Sequence, residues 1–432
     1  MINYILIALT VITMASCEKE PLPVEKQPLV SNDSVNNDTI STINDDPAWL
    51  KSAKERIELH RKADLSIHVV DNNGKPIEGA EVEVKMIRHA FEFGSLLGTS
   101  RFEGQPNPTD AQKHLEIVET YFNKVAAIRE NDPVSEFGLN WLNERNIKVR
   151  GHYLMWARIQ PGNRYGQPDE WPDDEEELRK MAFQRIEDMI TWADNRITEW
   201  NLINHIVTNV SDHVGYDHLF GEEFFADIIK FARELAPPEV EMWINEGGVL
   251  PGEGKRLQLY YEVIENLVKY NAKPDGIGFM SHFKGEDDLI SMEVVYQRLD
   301  KFAELVPNLQ LTELDIDVED EKLHASYLHD VMNIAFSHPA VTSITVWQIW
   351  GSEGHNRVLW NSDWTIKPAG EAWIDLVHNK WWTEETGITN NEGQFEARGF
   401  LGDYEIHIQV ENEIKTMNCN LLPEGTSLNI VF

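Results

Sequence analysis

Six apolar stretches of this 432-residue chain run into residues equipped for proton transfer or nucleophilic attack. They end at Glu130 and Asn131, at His152, at Asn204 and His205, at Asn245 and Glu246, at His282, and at Glu313 with Asp315. A carboxylate can attack an electrophilic carbon or carry a proton. An imidazole, with an ordinary pKa near ~6.5, passes protons around neutrality. An amide donates and accepts hydrogen bonds at once. Glu313 and Asp315 lie two residues apart, so on a strand their side chains face the same way. Loop composition alone does not explain why apolar runs should all finish in Glu, Asn or His. The pattern points to a ligand site.

Other chemistries fit less well. His205, Asp212, His213 and His218 make a His-rich stretch, but their spacing lacks the short-range third ligand of a zinc site, and a polar loop accounts for them. No glycine-rich loop follows a strand, which argues against a nucleotide site. Neither a metal nor a cofactor is expected.

The elements that must position these groups alternate. Short apolar runs recur at 90–94, 125–129, 149–154, 198–203, 242–245, 275–280, 310–315 and 343–347, and helical stretches such as Phe224–Leu235 and Leu257–Tyr270 separate most of them. An open doubly wound sheet shows the same alternation. Eight strands over residues 88–380 match an α/β (β/α)8 barrel of the TIM type better, since such barrels need roughly 250 residues. Barrel active sites lie at the C-terminal ends of the strands, where the polar residues fall.

The flanks read differently. Leu65, Ile67 and Val69 alternate with polar neighbours, Asp71-Asn72-Asn73-Gly74 has turn chemistry, and Val82, Val84 and Met86 alternate again, which predicts a β-hairpin. Tyr404, Ile406, Ile408 and Val410, then Leu428, Ile430 and Phe432, repeat the style near the C-terminus, with a second turn at Asn390-Asn391-Glu392-Gly393. Either end alone is too small for a stable sheet. Residues 51–87 and 381–432 are therefore expected to join in one small β-sandwich-like module.

Residues 1–16 form a short apolar run ending Met14-Ala15-Ser16 before Cys17. The run is too short for a comfortable membrane span and reads as a signal peptide, with Cys17 lipidated after cleavage. Residues 17–50, rich in Pro, Asn, Asp, Ser and Thr, then serve as a flexible tether. The expectation is a secreted, membrane-anchored lipoprotein, monomeric, touching the membrane through its lipid only. Cys419 is the single remaining cysteine, so no disulfide is expected. A net charge of −35 argues against nucleic acid as a partner. Most of the 14 Trp are assigned to the core.

Four motifs, in order, carry a resemblance. Gly151-His152-Tyr153-Leu154-Met155-Trp156 followed by Gln160-Pro161, Trp200-Asn201-Leu202-Ile203-Asn204, Asp275-Gly276-Ile277-Gly278 with Ser281-His282, and Thr312-Glu313-Leu314-Asp315-Ile316 resemble strands of glycoside hydrolase family 10, the endo-β-1,4-xylanases. The likeness covers residues 88–380, and the flanking stretches Asp71–Val84, Trp381-Trp382-Thr383 and Gly402-Asp403-Tyr404 resemble those of some relatives. It implies a retaining glycosidase, in which two carboxyl groups about 5–5.5 Å apart act as nucleophile and acid/base. By this resemblance Glu313 is the nucleophile and His282 orients it. His152 and Asn204 bind the reacting sugar, and Glu130 and Asn131 bind its neighbour, with Glu246 and Trp347 further substrate contacts. Asp315 is either an orienting group or a structural acceptor.

The chain departs from the family at the site. His205 stands where the acid/base Glu belongs. Met280 replaces a Gln, Val134 a Lys and Ser135 a Trp, and Trp347-Gln348-Ile349-Trp350 lacks the usual Trp-Gly start. Three readings follow. His205 donates the proton itself; or Glu246, or an acidic substrate, supplies the acid; or the barrel binds glycan without turnover. Loss of a general acid costs roughly 10²–10⁴-fold, which leaves activity on good leaving groups.

Overall fold

The computed structural model describes residues 46–126, 133–159, 174–209, 214–351 and 356–432. The expected signal peptide, Cys17 and most of the expected tether lie outside the described residues, as do Glu130, Asn131, Gln160, Pro161, Asp212 and His213.

Eight strands form the barrel: β1 (Glu92–Leu96), β2 (Lys124–Ala126), β3 (Lys148–Trp156), β4 (Glu199–Asn204), β5 (Glu241–Gly247), β6 (Gly276–Met280), β7 (Leu309–Asp317) and β8 (Val341–Val346). Neighbours pair in parallel in the order β6-β5-β4-β3-β2-β1-β8-β7, and β6 pairs with β7 to close the ring. A helix follows each strand, from Pro108–Tyr121 after β1 to Pro368–Asp375 after β8. Every expected strand is present. They read as continuous apolar runs because helices cover the outer face and side chains fill the inner one, leaving no wet side to demand alternation.

Two glycines set how closely strands approach. A Cβ on Gly151 of β3 would come within 2.1 Å of the Trp200 ring on β4, and one on Gly276 of β6 within 2.3 Å of the Trp243 ring on β5. Each buried indole therefore occupies space that a neighbouring side chain would need. Toward the strand starts lies a buried ionic layer. Lys124 Nζ reaches Glu92 Oε2 at 2.7 Å and Glu199 Oε2 at 2.9 Å, Arg150 Nη1 reaches Glu199 Oε1 at 2.6 Å, and Gln310 Nε2 donates to Glu199 Oε2 at 2.8 Å. Burial opposes the charge on Glu199, but Lys124 and Arg150 outweigh it and bring its carboxyl down to about 2.

Both chain ends build a β-sandwich. Strand Lys62–Val70 lies between Gln394–Phe400, antiparallel, and Thr426–Val431, parallel. The facing sheet runs Glu384–Ile388, Glu81–His89, Gly402–Val410, Glu413–Leu421. Leu65, Ile67 and Val69 from one sheet and Val82, Val84, Met86, Tyr404, Ile406 and Ile408 from the other are buried. The expected hairpin between 65–69 and 82–86 does not form. Those strands sit in opposite sheets, joined by the turn in which Asp71 Oδ1 accepts from Asn73 N at 2.8 Å and Gly74 adopts φ +78°. Alternation identifies a half-buried strand but not its partner.

Residues Ala48–His60, expected to be tether and β module, are a helix. Leu50, Ala53 and Ile57 are its buried face, a helical spacing. Just beyond it, Arg61 donates to the carbonyls of Phe336 at 2.7 Å, His338 at 2.6 Å and Val341 at 2.7 Å. Trp381 stacks on Phe336 with centroids 4.2 Å apart. The module is thus fixed to the base of the barrel, opposite the C-terminal strand ends.

Candidate active site

Glu313 leaves β7 inward and is 5% exposed. Its Oε2 lies 3.0 Å from His282 Nε2, its Oε1 accepts from Asn245 Nδ2 at 3.1 Å, and His152 Nε2 stands 3.9 Å from Oε1. Burial opposes ionisation, yet the His282 hydrogen bond and the charges of His152, His282 and His205 prevail, so the carboxyl sits below its ordinary value. On the far side of the imidazole, His282 Nδ1 lies 2.9 Å from Asp315 Oδ2. Burial works against its charge, but Asp315 and Glu313 together push the His282 pKa up to about 9. At neutral pH this is a carboxylate–imidazolium–carboxylate line. Asp315 thus acts on His282.

An amide chain fixes the neighbouring groups. Asn201 Nδ2 donates to Asn204 Oδ1 at 2.9 Å and lies 3.0 Å from His152 Nδ1. Asn245 Nδ2 also reaches Asn204 Oδ1, at 3.1 Å, while Thr312 Oγ1 donates to Asn245 Oδ1 at 2.7 Å. With Oδ1 of Asn204 accepting twice, its Nδ2 is left to donate. The same logic puts a proton on Nε2 of His152, pointed toward Glu313. Trp347 walls this pocket, its ring edge-on to His152 at 5.3 Å and to His282 at 6.0 Å.

His205 follows β4 with φ +56°, in the left-handed region, and its N–H donates to Asn245 O at 2.9 Å. Its ring lies 4.4 Å from that of Trp156, and its Nδ1 is 3.4 Å from Glu246 Oε1. Glu246 was expected to touch substrate or to serve as a spare acid. It is fully buried, and Arg256 Nη1 and Gly247 N donate to Oε1 at 2.7 and 2.8 Å while Val207 N donates to Oε2 at 2.8 Å. Burial alone would raise its pKa. His205, Arg256 and the Val207 N–H reverse that and hold it below the ordinary value, so it is an anion engaged by protein donors.

Glu313, His282, His152, Asn204 and Trp347 thus converge, with His205 and Glu246 alongside. Met280 is buried at the end of β6 with its sulfur turned toward Gly247. Val134 and Ser135 begin the helix Pro133–Glu144. His218, weighed as a metal ligand, has Nδ1 accepting from Gly215 N at 3.1 Å and Nε2 3.0 Å from Asn209 Oδ1, a loop-stabilising role. Among the described residues no group of three or more His, Cys, Asp and Glu could hold a metal, and no helix is long and apolar enough to cross a membrane. Sequence reasoning missed Asn201 and Arg256. Asn201 stood within a quoted motif, two residues from Glu199 and three from Asn204; Arg256 carried no signal.

The model of a family described as "Glycosyl hydrolase family 10" matches residues 85–376. Among curated proteins, "Anti-sigma-I factor RsgI6" of Acetivibrio thermocellus is 27% identical over 86% of this chain and 48% of its own length. "Endo-1,4-beta-xylanase 1" of Arabidopsis thaliana is 23% identical over 86% of this chain and 39% of its own. The chain therefore spans less than half the length of these relatives. Native xylanase 10B of Thermotoga maritima superposes with a TM-score of 0.57 at 21% identity, over 67% of this chain and 96% of that one. Xylanase 10B of Thermotoga petrophila, solved with xylobiose, gives 0.57 at 20% identity.

Proposed function

The chain belongs to glycosyl hydrolase family 10, and from that premise we propose that it hydrolyses O-glycosyl bonds in plant-type or related polysaccharides, with the specificity of an endo-1,4-β-xylanase-like enzyme. One observation carries the reading: Glu313 is a buried, ionised carboxylate on β7, aimed by His282, Asn245 and His152. A carboxylate so held can attack an anomeric carbon and form the covalent intermediate of a retaining mechanism. Asn204 Nδ2 and His152 Nε2 supply fixed donors for sugar hydroxyls beside it. His205 takes the acid/base position.

The test is hydrolysis of xylans and of an activated aryl β-xyloside by the wild type and Glu313→Gln. Turnover by the wild type that the substitution abolishes is the expected result; equal rates would defeat the proposal. A second reading draws on His205 itself, which replaces a carboxyl acid: a barrel that binds glycan without turnover. Affinity for a polysaccharide that is lost in His152→Ala or Asn204→Ala, with no hydrolysis at any pH, would favour it. The proposal extends to the N-terminus, where Cys17 would carry a lipid anchoring a secreted protein to the cell envelope. Mass spectrometry of the mature N-terminus tests this.

A further inference from the structure

This inference rests on the hydrolase reading above. His205 is held on three sides. Its backbone N–H is tied to Asn245 O at 2.9 Å, its ring lies against Trp156 with centroids 4.4 Å apart, and its Nδ1 is buried with Glu246 Oε1 3.4 Å away. The side chain is nevertheless 22% exposed, and since Nδ1 is covered that exposure belongs to the rest of the side chain. The carboxylate cannot swing away, because Arg256 Nη1 and the N–H groups of Gly247 and Val207 hold its two oxygens. A carboxylate facing Nδ1 favours the tautomer with hydrogen there and leaves Nε2 as the nitrogen that gains and loses a proton.

We propose that His205 delivers the leaving-group proton from Nε2 and takes it back from water, with Glu246 as the residue that positions the ring and selects its tautomer. In the first step a Glu313 oxygen bonds to the anomeric carbon, the bond from that carbon to the leaving oxygen breaks, and the Nε2 proton passes to that oxygen. In the second, water attacks the same carbon, gives its proton to the now neutral Nε2, and the bond to Glu313 breaks. The spent acid is a neutral imidazole rather than a carboxylate, so Glu246 keeps one charge throughout. The charged groups bearing on His205 are Glu246 from β5, Arg256 beyond it, Arg158 after β3, which acts on Glu246, and Glu313 from β7.

Two measurements test this. The first needs no substrate: long-range nitrogen–proton correlation spectra of the imidazoles, with His205 assigned by its loss in His205→Ala. Neutral His205 should carry hydrogen on Nδ1; finding it on Nε2 would overturn the proposal. This stands even if Glu246→Gln, which strands Arg256, fails to fold. The second compares a xylo-oligosaccharide with a dinitrophenyl β-xyloside, whose leaving oxygen needs no proton. His205→Ala should lose roughly 10²–10⁴-fold on the first and far less on the second; equal losses would overturn the proposal. In Glu246→Gln kcat/KM should likewise drop on the oligosaccharide and change far less on the dinitrophenyl β-xyloside, because the ring that delivers the proton is no longer held in one tautomer; equal losses on the two would count against the positioning role. If Glu313→Gln still turns over, the hydrolase reading fails instead, and the tautomer result is unaffected.

Discussion

Glu313 Oε2 and His282 Nε2 lie 3.0 Å apart, and Asp315 closes on the opposite nitrogen of the same ring at 2.9 Å. One imidazole thus joins two carboxylates, and the two shifts it produces have opposite signs. Glu313 is held below its ordinary value, and His282 is pushed up to about 9. The ionic form of the pair therefore persists from acid pH to about 9.

From this, kcat/KM on the dinitrophenyl β-xyloside, which needs no proton from His205, should fall as pH rises through about 9, when His282 loses its proton and Glu313 its partner. In His282→Ala the acid limb should move to higher pH, since the lost hydrogen bond had favoured the Glu313 anion. A hydrogen bond to a charged group is worth roughly 1.5–3 kcal/mol, which at about 1.4 kcal/mol per decade is a loss of about 10–10²-fold. An acid limb that stays in place in His282→Ala would show that Glu313 is ionised by other means. The same shift bears on stability. A histidine whose folded pKa exceeds its unfolded value contributes fully below the unfolded value of ~6.5 and loses that contribution as pH rises through the folded value. The wild type should therefore lose thermal stability between neutrality and about pH 9 relative to His282→Ala.

The ionic layer near the strand starts behaves in the reverse sense. Glu199 is brought down to about 2, so its contribution is present above its unfolded value of ~4.5 and is lost as pH falls through about 2. In Glu199→Gln, Lys124 keeps Glu92 at 2.7 Å, but Arg150 loses its carboxylate. Removing one partner of a buried pair costs about 3–5 kcal/mol. Urea unfolding at pH 7 should show that loss, and the gap from wild type should narrow as pH drops from ~4.5 toward 2. A constant gap across that range would mean that packing, not charge, sets the cost.

Much of the barrel was legible because its strands are short, apolar and each followed by a helix, so local pattern coincides with global arrangement. The polar residues of β3, β4, β5 and β7 were legible for the same reason: a barrel turns the C-terminal halves of all its strands to one face. What sequence could not give was pairing across the ring. Glu246 reads as a strand-end substrate contact or spare acid until β4 brings His205 beside it and the following loop folds Arg256 back at 2.7 Å. Asn201 reads as an interior strand residue until Asn204 and His152 are seen on the same side. The 65–69 and 82–86 strands were found but mispaired, since alternation marks one wet face and nothing about the partner. The helix Ala48–His60 could have been found from Leu50, Ala53 and Ile57, but lay beside a stretch whose composition suggested a tether.

Gly151 is where scaffold and site meet most directly. It precedes His152 on β3 and pairs in register with Trp200 on β4, where a Cβ would sit 2.1 Å from the indole. Trp200 is buried and cannot turn aside, so in Gly151→Ala one strand must move. Overpacking of this kind costs about 1–3 kcal/mol. Gly98→Ala is the control, because its Cβ would meet only Ser100 Oγ, at 3.5 Å, and surface changes of that sort stay within about 0.5 kcal/mol. The loss of activity should exceed the loss of stability. Any shift between β3 and β4 displaces His152 against Asn201 and Asn204, and a displacement of about 1 Å near a reacting centre can cost 10²-fold. Measured well below the unfolding midpoint, kcat/KM of Gly151→Ala should therefore drop while the folded fraction does not. If activity only tracks the folded fraction, the strand spacing is a matter of stability and the amide chain tolerates its movement.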